Sequence, residues 1–129
     1  FDAADVAEGR KFNDGICRLA YPVDVHAGTG EGYTKAEASK RLVAPKPGDW
    51  YEVPYRCLAP RGIENVLVAG RCVSSTQAGH GAIRIMPCCA AMGQAAGTAA
   101  ALSIDGGVSV RRVNVKALLD KLRGQGALI

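Results

Sequence analysis

The chain has 129 residues, a formal charge of +4, 48% apolar and 22% charged residues, and only 5% aromatics. This composition argues against disorder, and the length fits one domain or part of a larger one, burying roughly two-thirds of its unfolded surface. Sixteen glycines against two phenylalanines predict a core of small residues and close backbone approaches.

In chain order, residues 2–12 predict a short polar helix that Asp2 or Asp5 can cap, and Asn13-Asp14-Gly15 a turn. Ile16 to His26 reads as extended, with Val23 and Val25 alternating against Asp24 and His26. Pro22 argues against a central strand position. Gly28 to Gly32 is a loop, Thr34 can cap a brief helix through Arg41, and Pro45-Lys46-Pro47-Gly48 is a break. Residues 27–49 therefore read as a surface insertion. Trp50 to Leu58 is strand-like but interrupted by Pro54, and Pro60-Arg61-Gly62 is a turn. The strongest strand signal is Asn65-Val66-Leu67-Val68-Ala69-Gly70, a continuous apolar run that suits a strand covered on both faces. Residues 71–86 form a connection rich in small and polar groups. Pro87 suits the first turn of a helix, which should run to Ile104 and stop at Asp105-Gly106-Gly107. A last helix, Val115 to Leu122, is capped by Asn114 and buries Val115, Leu118, Leu119 and Leu122 at i, i+3, i+4, i+7 spacing.

Several function classes recede on these readings. Lys and Arg are scattered, and the densest group (Arg111, Arg112, Lys116, Lys121, Arg123) surrounds a short amphipathic segment. That is a solvated face rather than a nucleic-acid footprint, which needs clustered cations and stacking aromatics. Ile85 to Ile104 is 20 residues without a charge and contains Gly93-x-x-x-Gly97, the length and motif of a membrane helix. It is rich in Ala and poor in the Leu, Ile, Phe and Val that favour insertion, so a helix buried nearly all round is expected and no membrane. Five cysteines (Cys17, Cys57, Cys72, Cys88, Cys89) with no C-x-x-C form neither a disulfide framework nor a paired zinc site, so no metal is expected. Reduced, inert thiols in a cytoplasm follow, including Cys72, Cys88 and Cys89. No signal peptide is visible at the start of the chain.

The chemistry centres on strand, glycine, polar loop and small-residue helix. Gly70, at the carboxyl end of the apolar run, would let a ligand approach the backbone. The helix beginning at Pro87 would aim free N–H groups and partial positive charge at the same region, a place for an anionic or electron-rich group. Ala90, Gly93, Gly97 and Ala100 share one stripe, which suits either tight packing or a flat cofactor. His80 could move a proton and Arg84 could clamp a carboxylate; equally, Arg84 could pair with a structural carboxylate and His80 cap a turn. His26 with Asp24 forms a second candidate pair or two solvated groups. Trp50, Tyr51 and Tyr55 suit core or pocket, and Arg56 shares their strand.

The segment NVLVAGRCVSSTQAGHGAIRIMPCCAAMGQAAGTAAAL (residues 65–102) closely resembles the carboxyl-terminal FAD-contacting segment of a family of bacterial FAD-dependent oxidoreductases. Similarity extends to Val53-Pro54-Tyr55-Arg56-Cys57-Leu58, to Tyr21 through His26, and to Arg123-Gly124-Gln125-Gly126-Ala127; it is weakest at 27–49. The resemblance implies an α/β fold: part of a Rossmann-like FAD-binding sheet closed by the Pro87 helix, plus strands of a substrate domain. It implies that Gly70 and Arg71 lie by the ribityl and phosphate part of FAD. It places His80 and Arg84 at the isoalloxazine, and Met86, Pro87 and Cys88 at its pyrimidine end. The positive helix end would there stabilise the reduced ring's charge. More distantly, His80-Gly81-Ala82-Ile83-Arg84 is similar to a His-Gly-x-Asn-Arg pattern in flavoproteins of the fumarate-reductase type, whose His and Arg bind a substrate carboxylate; Ile83 stands in place of the Asn.

The family's amino-terminal G-x-G-x-x-G, which cradles the diphosphate, has no counterpart. Gly28-Thr29-Gly30-Glu31-Gly32 has the wrong spacing, and Arg84 stands where Gly79-His80-Gly81 would need its third glycine. The expectation is a carboxyl-terminal piece of a longer cytoplasmic enzyme, with its other half holding most of the FAD and a small-molecule substrate exchanging a hydride with the flavin. Alone, the piece should bind FAD weakly or not at all, be inactive, and self-associate through its uncovered apolar surface. Two alternatives are a non-redox lyase or isomerase acting on carbohydrate that keeps the fold, and a non-catalytic module holding an anion at the helix start.

Overall fold

The computed structural model describes residues 1–25 and 43–129. His26, the Gly28–Gly32 loop, the Thr34–Arg41 helix and most of the 27–49 insertion lie outside them. The described residues form α1 (Ala3–Ala7), β1 (Gly15–Leu19), β2 (Tyr51–Pro54), α2 (Gln77–Ile83), α3 (Met86–Asp105) and α4 (Val115–Gly124). Short 3₁₀ turns occupy Tyr55–Leu58, Gly70–Cys72 and Val110–Arg112.

Local chemistry explains the boundaries. Asp2 caps α1 by accepting from the Ala4 and Asp5 N–H groups while the Asp5 side chain accepts from the Asp2 N–H, a reciprocal capping pair. Thr76 Oγ1 accepts from the Gly79 N–H at 3.1 Å to start α2, and Asn114 Oδ1 accepts from the Ala117 N–H at 3.1 Å to start α4. At the head of α3, Pro87 occupies the first turn, where a missing N–H costs nothing. The expected helices from Pro87 and from Val115 are therefore present, and the one expected over 2–12 forms only at Ala3–Ala7. Helix α2 was not expected: within 71–86 the two glycines around His80 depress helix propensity, and packing overrides it.

β1 and β2 pair antiparallel, Arg18 opposite Glu52 and Leu19 opposite Tyr51, with an irregularity between Gly15 and Arg18. This is the whole sheet among the described residues. The architecture is mixed helix with a two-stranded antiparallel sheet. The expected doubly covered strand at Asn65–Gly70 is not formed. Ala69 is extended, but within 65–70 the inter-segment backbone bond is that of the Val68 N–H to Leu58 O, 2.8 Å, and Val66 is 42% exposed. A strand needs a neighbouring ladder for its N–H and C=O groups, and none stands beside it among the described residues. Trp50–Leu58 is strand only to Pro54 and then coils, because Pro54 and the Asp14 contacts below redirect it.

The core gathers Val6, Ile16, Tyr51, Val53, Leu58, Ile83, Met92, Leu118 and Leu122 with the small residues Ala82, Cys88, Ala95 and Ala99. Helix α3 buries one face only (Cys88, Met92, Ala95, Ala99, Ser103) rather than nearly its whole circumference. Its other side is open: Met86 and Ile104 are 78% and 80% exposed, and a Cβ added at Gly93 or Gly97 would meet nothing within 4 Å. Among the described residues no single helix is long and apolar enough to cross a membrane; α2 and α3 pass together on length and composition, but are bent by 91°.

Leu118 is fully buried while Ile104 is not. Leu118→Ala should lower unfolding free energy by about 2–5 kcal/mol and Ile104→Ala by less than ~0.5 kcal/mol, measured by urea titration of the chain; equal effects would contradict this core.

Burial pushes the phenols of Tyr51 and Tyr55 above their ordinary value of 10.0. Tyr51 Oη lies within hydrogen-bond reach of the Tyr21 and Ala82 carbonyls (2.9 and 3.2 Å), and Tyr55 Oη donates to Val110 O (2.7 Å). The unfolded chain releases these protons first, so their stability is fully present below about pH 10 and falls as pH rises further, by ~1.4 kcal/mol per pH unit for each. Tyr51→Phe should remove its share of this alkaline slope in denaturant titrations between pH 9 and 11; an unchanged slope would refute the assignment.

Candidate functional site

Two close approaches position the region around α2. A Cβ at Gly79 would sit 2.7 Å from Phe1 O, and one at Gly81 2.7 Å from Asp24 O. The Thr76 N–H donates to Phe1 O at 2.9 Å and the Asp24 N–H to Gly81 O at 3.3 Å. Helix α2 is thus wedged between the amino terminus and residues 24–25, and only glycine fits on either side of His80.

This wedge aims His80 and Arg84 at the corner where α2 meets α3. Arg84 closes α2 as its C-cap. Its Nη2 donates to Asp24 Oδ2 at 3.2 Å and to Asp24 O at 3.3 Å. The Arg71 Nε–H donates to Arg84 O at 3.2 Å, satisfying a carbonyl at a helix end. His80 Nε2 lies 3.2 Å from Arg71 O, donating when that nitrogen carries the proton. Gly70, at φ +71, turns the chain into the Arg71 turn beside Cys89, whose Cβ would be 3.8 Å from a Cβ at Gly70. Gly70, Arg71, His80 and Arg84, distant in sequence from one another by up to 14 residues, form one hydrogen-bonded corner with two cationic side chains.

The head of α3 opens onto the same corner. Its N-cap is Ile85, with no side-chain cap and no acidic residue in the first turn. Met86 and Pro87 are exposed. The leading N–H groups are therefore uncapped by protein side chains, and the positive end of a 20-residue helix stands uncovered.

Other expected residues fall elsewhere. The Cys88 side chain turns into the core, its Sγ 4.0 Å from Cys17 Sγ, so only its backbone belongs to the helix head. Cys72 is exposed rather than buried. Asp24 faces Arg84, and its expected partner His26 lies outside the described residues. Arg56 is structural: Nη1 pairs with Asp14 Oδ1 at 2.5 Å, the Asp14 carboxylate also accepts from the Arg56 N–H at 3.1 Å, and the guanidinium covers Phe12 at 4.8 Å. Trp50 carries Lys11 and Arg18 over its ring at 4.4 and 4.9 Å. Asp24 as the Arg84 partner is what the sequence reading lacked, because a separation of 60 residues leaves no periodic signal. Among the described residues, no group of three or more His, Cys, Asp or Glu could hold a metal ion.

The model of the FAD dependent oxidoreductase family matches residues 1–122. The chain belongs to this family. No curated protein and no solved structure matches it. Members of the family use FAD in redox chemistry, and the family match gives no support to the carbohydrate lyase or isomerase alternative.

The residues suit a flavin at this corner. A reduced flavin is electron-rich and an FAD diphosphate is anionic; an uncapped helix head beside Arg71 and Arg84 offers N–H donors and positive charge. The side-chain-free stripe of Gly93 and Gly97 leaves room for a flat surface against α3.

Gly81→Ala, which forces a Cβ onto the Asp24 carbonyl, should destabilise the chain by about 1–3 kcal/mol. Gly97→Ala, in an open helix interior, should stabilise it by about 0.5–1 kcal/mol. Denaturant midpoints of both variants check this; a neutral Gly81→Ala would mean that α2 is not wedged.

Proposed function

We propose that this chain is the carboxyl-terminal, flavin-facing part of an FAD-dependent oxidoreductase that exchanges a hydride between a small organic substrate and its flavin. The observation that carries the reading is the uncapped head of α3, flanked by Arg71 and Arg84 and continuous with an open glycine stripe, in a chain of this family. Gly70, Arg71, Met86, Pro87 and the Cys88 backbone bind the cofactor. The flavin, when bound, supplies the two-electron chemistry. The helix head stabilises negative charge at the adjacent ring edge. Arg84, oriented by Asp24, clamps a substrate carboxylate, and His80, held by the Arg71 carbonyl, delivers or accepts a proton.

The diphosphate cradle comes from another stretch of polypeptide, an amino-terminal half with the G-x-G-x-x-G turn absent from these residues. That half packs on the open face of α3 and completes a parallel sheet with residues 65–70, where Val66 is exposed and no strand ladder forms among the described residues. Without it, the 129 residues bind FAD weakly, lack activity, and self-associate through that face. A cytoplasmic setting suits the five free cysteines.

In the intact protein, Arg84→Ala should raise KM for a carboxylate substrate and lower kcat/KM by roughly 100-fold, with the bound-flavin spectrum retained. Anaerobic bleaching of that flavin by substrate measures the transfer. An intact protein that purifies and reconstitutes without flavin would overturn the proposal; full turnover by Arg84→Ala would favour a non-catalytic anion-holding role.

A further inference from the structure

The five cysteines are unequal in their surroundings. Cys17 sits in the middle of β1 and Cys88 in the first turn of α3, 71 residues apart in sequence, with Sγ atoms 4.0 Å apart. They retain 4% and 0% of their surface. The pair borders a groove of about 360 Å³ that runs between β1, α3 and the carboxyl terminus, bounded also by Arg18, Pro87, Gln94 and Leu128. The other three cysteines make different contacts: Cys72 points to Ala69 O, Cys89 points to Arg84 O, and Cys57 belongs to the turn after β2.

From this geometry we propose that Cys17 and Cys88 are an oxidisable dithiol, a modification site for small two-electron thiol oxidants that enter the groove and leave a disulfide joining β1 to the head of α3. At 4.0 Å, the two thiol sulfurs are about 2 Å beyond bonding distance. Either sulfur can donate in this contact, so whichever thiol of the pair ionises becomes the attacking sulfur.

With a diazene oxidant such as diamide, the thiolate of one cysteine of the pair adds to one nitrogen of the N=N bond, and the other nitrogen takes up a proton. The second cysteine's sulfur then attacks the first, the S–S bond forms, and the S–N bond breaks. The departing nitrogen takes the second proton. Both S–H bonds are lost, and the oxidant leaves as its hydrazine, reduced by two electrons. The staple closes a long loop and constrains the unfolded chain.

The test treats the 129-residue chain, free of flavin, with diamide, alkylates the remaining thiols and maps peptides by mass. The expected result is protection of two of the five thiols, a Cys17–Cys88 cross-linked peptide lighter by two hydrogens, and a Tm raised by roughly 10 °C that reductant reverses. Cys88→Ser should lose both the cross-link and the shift, and Cys72→Ser should keep both. Alkylation of Cys17 and Cys88 after treatment, or cross-links confined to Cys57, Cys72 or Cys89, would overturn the proposal. Neither result bears on flavin binding by the intact protein.

Discussion

One-sided burial of α3 organises this molecule. Cys88, Met92, Ala95, Ala99 and Ser103 face the core, and four of those five side chains are small. The helix axis can therefore lie close to β1 and α4, where dispersion is gained from many short contacts rather than from large rings. The same smallness continues around the helix, but there Gly93 and Gly97 face nothing. A helix of uniform low bulk can bury either side equally well. Which side it buries here is decided by the amphipathic neighbour α4, with Leu118, Leu119 and Leu122, and by the hairpin of β1 and β2.

The corner at the head of α3 follows from that placement. A 91° bend separates α2 from α3, so the carboxyl end of one helix and the amino end of the next meet. Their end charges are opposite in sign, and each needs partners for orphan backbone groups. The carbonyl end has them: Arg71 donates to Arg84 O and the Arg84 N–H bonds back to His80 O. The amide end has none from side chains. This asymmetry, rather than any single residue, leaves the positive end of α3 open.

The cationic residues of this corner are each held by a structural partner. Arg84 is tied to Asp24, which holds residues 24–25 against α2 through the approach at Gly81. An arginine already oriented by a carboxylate loses less side-chain entropy when it meets a second, incoming anion. His80 is similarly pre-set by the Arg71 carbonyl. The ion pairs Arg56–Asp14 and Lys11–Asp49 flank β1 and β2 instead.

Signals that depend on neighbouring residues were legible in the linear chain. The Asp2 and Asn114 caps, the Pro87 start, the stop before Gly106-Gly107 and the leucine spacing of α4 all act within one or two helical turns, so local composition determines them. The resemblance, rather than local composition, singled out Gly70 and Arg71 for one part of the FAD and His80 and Arg84 for another. Three things were decided only in three dimensions. The apolar run at 65–70 bonds through Val68 to Leu58 but forms no strand, because a strand exists only with a partner ladder. Helix α2 formed across two glycines, because those glycines answer contacts with Phe1 and Asp24 that lie far away in sequence. Cys88 turned inward to Cys17 and Arg84 to Asp24, because separations of 71 and 60 residues are closed by packing, which leaves no period or motif in the chain to announce it.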